Sequence, residues 1–147
     1  MDSLIEAALQ ARDKAQAPYS NFQVGCALEG EDGTIYPGCN VESASYGLTM
    51  CAERGAIYGA MARGAKPRSF RRIVVCADTD DLTPPCGACR QVLWEYCGDI
   101  PLTLVNLKGK HETLRVSHLL PRAFDASILH QSGAASGGVD PSSGSAG

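Results

Sequence analysis

Long apolar runs are missing from this chain. No stretch approaches the roughly 18 residues that a membrane-spanning helix needs, so no membrane partner is expected. The first residues, Met1-Asp2-Ser3-Leu4, carry neither the basic start nor the apolar stretch of a secretory leader, and they run straight into an amphipathic pattern. Positive charge is in short supply: 13 Lys and Arg face 16 Asp and Glu, for a net charge of -3 at pH 7. A general nucleic-acid binder shows a basic stripe. None is visible here, which points to a small, near-neutral substrate and no nucleic-acid partner. Histidine is rare too, and His111, His118 and His130 all come late and outside any ligand spacing. No internal repeat is present.

What the chain does have is cysteine. There are seven, an odd number, which with the missing leader predicts a reducing, cytoplasmic setting with free or metal-bound thiols. Cys26 and Cys76 lie within apolar strand-like runs and read as buried core. Cys39 and Cys97 fall at the ends of elements, with no motif to give them chemistry. The other three belong to two motifs, Cys51-Ala52-Glu53 and Pro85-Cys86-Gly87-Ala88-Cys89.

Together these motifs supply three thiols and one carboxylate outside the ligand set. A catalytic zinc needs that count: three protein ligands, a fourth position left open, and an acid/base group beside it. A structural zinc needs four protein ligands. The only further thiol to consider, Cys76, sits mid-strand in an apolar run. An isolated Cys-Ala-Glu would read Glu53 as a helix N-terminal acid; beside Pro-Cys-x-x-Cys it reads as the proton carrier. Both motifs fall at predicted helix starts, where the helix dipole and free N–H groups favour thiolate. Cys86 and Cys89 then share one face of a first turn, whereas Cys51 sits at a loop-to-helix junction with Glu53 in the turn beyond. Zinc with three thiolates has a net charge of about -1, which opposes ionisation of a bound water and calls for a compensating cation. Arg54 and Arg90 each follow a motif directly, and Arg54 is the favoured donor to thiolate sulfur.

The rest of the pattern predicts helix over 2–16, strand over 22–28, a turn at 31–33, strand over 34–41, helix over 51–63 stopped by Gly64, strand over 72–77, helix over 86–97 stopped by Gly98, strand over 101–107, strand near 113–116 and a short capped turn at 117–121. That order implies a three-layer α/β domain with a mixed sheet. The 41–72 and 77–101 connections each carry a helix, so the strands they join should run parallel. One domain is expected over residues 1–130. In 131–147, 13 of 17 residues are Gly, Ser or Ala, the composition of a disordered extension.

The chain resembles the cytidine deaminases, in particular the small, three-cysteine, homotetrameric type. The resemblance runs over about residues 1–124. It is carried by Pro18-Tyr19-Ser20-x-Phe22-x-Val24-Gly25, Gly38-Cys39-Asn40-Val41-Glu42, Tyr46-Gly47-Leu48-Thr49-Met50-Cys51-Ala52-Glu53-Arg54, Pro85-Cys86-Gly87-Ala88-Cys89-Arg90-Gln91-Val92-Leu93 and Leu119-Leu120-Pro121. It implies a three-layer α/β/α deaminase fold with about five strands and one Zn²⁺ per chain on Cys51, Cys86 and Cys89. It further implies Glu53 as the proton shuttle, Asn40 and Glu42 on the ribose hydroxyls, and Phe22 and the Ala52 backbone on the base. Tyr46 and Phe124 match positions that such enzymes lend to neighbouring subunits, so a homotetramer with shared sites is implied. The reaction implied is hydrolysis of cytidine and 2′-deoxycytidine to the uridines and ammonia, in pyrimidine salvage. Read as bare residues, Phe22 and Phe124 are also ordinary core candidates, Asn40 a turn residue and Glu42 a solvated acid. Pro84 stands where this family often has Ser or Thr, and it keeps the backbone carbonyl that can face the leaving ammonia.

Overall fold

The computed structural model describes residues 2–129; the expected Gly/Ser/Ala-rich extension at 131–147 lies outside them. The elements are α1 (Ser3–Arg12), β1 (Val24–Gly30), β2 (Ile35–Cys39), α2 (Ala52–Ala62), β3 (Phe70–Ala77), α3 (Gly87–Cys97), β4 (Pro101–Val105), β5 (His111–Arg115), α4 (Val116–Leu119) and α5 (Ala126–Leu129). The strands form one sheet in the order β2-β1-β3-β4-β5. β1 is antiparallel to both β2 and β3, so β2 and β3 run the same way with β1 between them. β3 and β4 are parallel neighbours, and β5 returns antiparallel on β4. The expected mixed sheet and both parallel relations are therefore present.

Strand alternation builds the layers. On one face Cys26, Leu28, Ile73, Val75, Leu102 and Leu104 pack with Ala56, Ile57 and Ala60 of α2 and Leu93 of α3. On the other, Ala27, Val74, Cys76 and Val105 pack with Leu4 and Ala8 of α1. β3 is central and buried on both faces, which is why its Ile73–Ala77 run is unbroken. Cys26 and Cys76 are core residues, as expected, while Cys39 and Cys97 end β2 and α3.

Two glycines let helices sit directly on strands. A Cβ at Gly25 would lie 2.1 Å from the Ala8 carbonyl oxygen of α1. A Cβ at Gly38 would lie 2.3 Å from the Ala52 carbonyl oxygen and 2.6 Å from the Ala56 nitrogen of α2. Backbone contact at Gly38 sets the first turn of α2 against β2.

Several expected boundaries shift by about two residues, as β1 runs on to Gly30, β3 starts at Phe70, β4 ends at Val105 and β5 covers His111–Arg115, and three further shifts have identifiable reasons. α1 ends at Arg12 rather than 16, because Gln16 pairs elsewhere: its N–H donates to the Asn40 carbonyl at 2.9 Å, and its carbonyl accepts from the Glu42 N–H at 2.8 Å. β1 begins at Val24 rather than 22, because the Asn40 side chain takes the backbone there. β2 stops at Cys39 rather than 41, and Val41 instead bridges singly to Gln16 and Met50. α5 has no counterpart in the sequence reading. Gly64 and Gly98, both at positive φ, end α2 and α3 as expected.

Candidate active site

The two parallel crossovers deliver α2 and α3 with their N-termini side by side at one end of the sheet. Cys51 is the N-cap of α2, in extended backbone geometry, and Cys86 is the N-cap of α3. Neither side chain caps its helix, so both thiols are free to face one another. Cys89, fully buried, joins them from the first turn of α3, and the three sulfurs lie within 4.8 Å of one another. Cys51 Sγ and Cys86 Sγ are 3.8 Å apart. Four-coordinate zinc with sulfur at about 2.3 Å places neighbouring sulfurs about 3.8 Å apart, so the donor set fits that ion. No other cluster of three or more His, Cys, Asp or Glu groups suited to a metal occurs among the described residues.

Arg54 lies one turn along α2 and donates from Nη2 to Cys51 Sγ at 3.4 Å. This puts one guanidinium charge beside the sulfurs, where a three-thiolate site calls for a cation. The Cys51 thiol is lowered to about 5, first by a hydrogen bond from the Cys89 thiol and further by Arg54. Arg90 does something else. Its Nε donates to the Pro85 carbonyl at 2.8 Å and its Nη1 to the Leu119 carbonyl at 3.0 Å. It ties the residue before Cys86 to α4 and makes no hydrogen bond to sulfur, so of the two candidate arginines Arg54 is the one that reaches a thiol.

Glu53 is 5% exposed. Loss of hydration pushes its carboxyl up to about 7, and the negative Cys51 adds to the rise. A carboxyl in that range can both accept and donate a proton at neutral pH. The core thiols Cys26 and Cys97 are raised instead, Cys97 to about 12, and their burial leaves them unreactive.

A cavity of about 340 Å³ opens beside the three thiols. Phe22, Asn40, Glu42, Cys51, Ala52, Glu53, Pro84 and Cys86 contribute to its wall. Thr49, in the stretch leading into Cys51, lines it as well, as do Val75 and Thr83, which no motif marks. Val75 was legible only as a core strand residue, and it reaches the cavity because the inner face of β3 forms the floor. Tyr46 and Phe124 do not line it. Both stand on the surface, Tyr46 at 78% exposure in a 3-10 turn and Phe124 at 54% in the segment after α4.

Asn40 and Glu42 also organise the chain opposite the metal ligands. Asn40 is buried; its Nδ2 donates to the Phe22 carbonyl at 2.7 Å, and its Oδ1 accepts from the Val24 N–H at 2.9 Å. Glu42 Oε1 accepts from the N–H groups of Tyr19 at 2.9 Å and Ser20 at 3.1 Å, while Oε2 accepts from the Ser20 hydroxyl. The Ser20 hydroxyl is the first reason the Glu42 carboxyl sits below its ordinary value. These bonds hold Phe22 at the cavity mouth.

Comparison with known proteins agrees with this geometry. The model of the cytidine and deoxycytidylate deaminase zinc-binding region matches residues 1–101. A cytidine deaminase of Sporosarcina psychrophila is 50% identical over 130 residues, covering 88% of this chain and 94% of that protein. One from Halalkalibacterium halodurans is 52% identical over 128 residues, covering 86% and 96%. The crystal structure of cytidine deaminase from Burkholderia pseudomallei superimposes with a TM-score of 0.82 at 50% identity, covering 83% of this chain and 97% of that one.

Proposed function

The chain belongs to the cytidine and deoxycytidylate deaminase family, and on that premise we propose that it hydrolyses the 4-amino group of cytidine and 2′-deoxycytidine, giving the uridine product and ammonia. The observation that carries this reading is the buried Glu53 carboxyl, two residues past one thiol of a three-cysteine cluster and in the wall of the same cavity. Cys51, Cys86 and Cys89 hold the zinc, whose Lewis acidity makes water nucleophilic near neutral pH. Glu53 accepts a proton from the attacking water and delivers it to ring N3, which makes C4 electrophilic. The same carboxyl then takes the proton of the hydroxyl now on C4 and hands it to the departing amine, so the C4–N bond breaks as the C4 carbonyl forms. Arg54 holds Cys51 in its thiolate form throughout.

The remaining wall residues select the substrate. Phe22 offers an aromatic face to the base, with the Ala52 backbone beside it. Glu42 keeps lone-pair capacity on Oε2 beyond its bond to Ser20, suited to a ribose hydroxyl. Asn40 has one amide hydrogen and one lone pair left after its bonds to Phe22 and Val24, enough for a second hydroxyl. Pro84 presents a carbonyl on the side where ammonia leaves.

The proposal extends to assembly. Tyr46 and Phe124 are large, exposed and outside their own cavity, and we assign them to the cavities of neighbouring copies in a homotetramer. The enzyme works in the cytoplasm, in pyrimidine salvage. Among the described residues no helix is long and apolar enough to cross a membrane.

The deciding experiment is the ultraviolet absorbance of cytidine with purified zinc-loaded protein. A progressive change, with ammonia released in equal amount, supports the reading. Unchanged absorbance with both cytidine and 2′-deoxycytidine refutes it.

A further inference from the structure

The cavity wall formed by Thr83 and Pro84 belongs to a long connection, residues 78–86, between β3 and α3. This connection has no regular structure of its own, yet it must present both that wall and the Cys86 ligand. Its anchor lies outside the cavity, in the β4–β5 hairpin. Asn106 there is 7% exposed and uses its whole amide. Nδ2 donates to the carbonyls of Thr79 at 3.0 Å and Asp80 at 3.2 Å. Oδ1 accepts from the N–H groups of Lys108 at 3.0 Å and Lys110 at 2.9 Å. From Thr79 the network continues inward, because the Thr79 and Thr83 hydroxyls share a hydrogen bond at 3.0 Å. Two ion pairs join the same segments at the surface, Lys108 with Asp80 and Lys110 with Asp81. Their carboxylates are over nine-tenths exposed, so they add little.

We propose that Asn106 is a positioning residue for the deaminase site, holding the Thr83-Pro84 wall in register with the metal ligands through Thr79. The chemistry required is narrow. The group must give two hydrogens to one loop and take two from another within a buried gap, and only a primary amide of this length does both. Asparagine is therefore needed where aspartate, of equal size, would turn an acceptor toward two carbonyls. The proposal rests on the deaminase reading for its kinetic half and is independent of it for its structural half.

The test uses zinc-loaded protein and three variants. Asn106→Asp keeps the acceptor that shapes the hairpin and removes both donors to the loop. Thr79→Val removes the hydroxyl link to Thr83 together with the hydroxyl's bond to the Asp81 carbonyl, and leaves the Asn106 amide its two carbonyl partners. Lys108→Ala removes an exposed ion pair. We expect Asn106→Asp to retain zinc at one equivalent per chain, to speed amide hydrogen exchange at residues 79–83, and to raise KM for cytidine about tenfold, since misplacement by a fraction of an ångström costs that much. Thr79→Val should raise KM in the same direction, and the double variant should be no worse than Asn106→Asp alone, because both act along one path. Lys108→Ala should stay within about twofold of wild type. A merely structural residue would lower the melting temperature while KM and kcat below melting stayed at wild-type values; that result overturns the proposal. Strictly multiplicative effects of Asn106→Asp and Thr79→Val, or an equal KM rise in Lys108→Ala, overturn it as well. If wild type itself leaves cytidine unchanged, the deaminase reading fails instead. Faster exchange at 79–83 in Asn106→Asp then still supports the anchor, and unchanged exchange refutes it.

Discussion

Replacing Gly38 by alanine should damage catalysis out of proportion to the single methyl group added. The new Cβ would lie 2.3 Å from the Ala52 carbonyl oxygen, 2.6 Å from the Ala56 nitrogen and 2.9 Å from the Ala56 Cβ. Ordinary contact at such atoms begins near 3.4 Å, so the first turn of α2 must retreat by about 1 Å; the obstructing atoms are backbone and cannot rotate away. That turn carries Cys51 at its cap, Ala52, and Glu53 at its second residue. A misplacement of about 1 Å at reacting groups costs on the order of 100-fold, equivalent to about 2.7 kcal/mol of transition-state stabilisation. Overpacking should also lower stability by about 1–3 kcal/mol. Gly25→Ala supplies the comparison. Its Cβ would meet the Ala8 carbonyl oxygen at 2.1 Å and the Arg12 nitrogen at 2.5 Å, an equal clash on the opposite face of the sheet. It displaces α1, which carries no ligand or proton carrier. Both variants should melt earlier, but only Gly38→Ala should lose about 100-fold in kcat/KM on cytidine, measured well below its melting temperature with zinc content checked. Equal kcat/KM in the two variants would refute the claim that backbone contact at Gly38 registers the catalytic turn.

Cys51→Ala, Cys86→Ala and Cys89→Ala should each lose most of the zinc, whereas Glu53→Gln should keep one equivalent and lose roughly 10²–10⁴-fold in kcat; metal analysis finding Glu53→Gln zinc-free would overturn its placement outside the ligand set. Arg68 closes the C-terminus of α3, donating to the Trp94 carbonyl at 3.0 Å and the Glu95 carbonyl at 3.3 Å with its guanidinium over the Trp94 ring, so Arg68→Ala should cost about 1–3 kcal/mol in thermal unfolding and leave kcat unchanged. Asp2 caps α1 and pairs with Arg72, which holds its carboxyl below the ordinary value of 3.8. A depressed carboxylate contributes stability that is complete above the unfolded value and lost as pH falls through the folded one. Asp2→Asn keeps a capping oxygen and removes that charge, so urea titrations should show its deficit at pH 7 vanishing as pH drops below about 4. Mixing Cys86→Ala subunits with Phe124→Ala subunits should restore part of the activity if neighbours complete each cavity; full activity in a monomer, seen by light scattering, would exclude that arrangement.

The metal centre was legible in residues because its chemistry is local. Cys-Ala-Glu and Pro-Cys-x-x-Cys each specify a helix cap and its first turn, and a helix start needs no distant partner to orient an N-terminal thiol. The placement of Glu53 and Arg54 was readable for the same reason, since one turn of α2 fixes both relative to Cys51. The layer order followed from periodicity, as a strand between two helical crossovers has few ways to pair.

The fold decided what depends on segments far apart in sequence. Arg90 follows Cys89 as Arg54 follows the Cys51 motif, and nothing in the sequence marks that it reaches main-chain carbonyls at Pro85 and Leu119 instead of sulfur. Asn106 looks like a turn residue; only the packing of the hairpin against the 78–86 connection makes its amide an anchor. α1 has the composition to continue past Arg12, but the backbone of Gln16 gains partners at Asn40 and Glu42, and an intrahelical bond cannot compete with that pairing. In each case helix propensity and motif spacing describe one segment at a time, whereas buried backbone groups must find partners wherever the fold brings them.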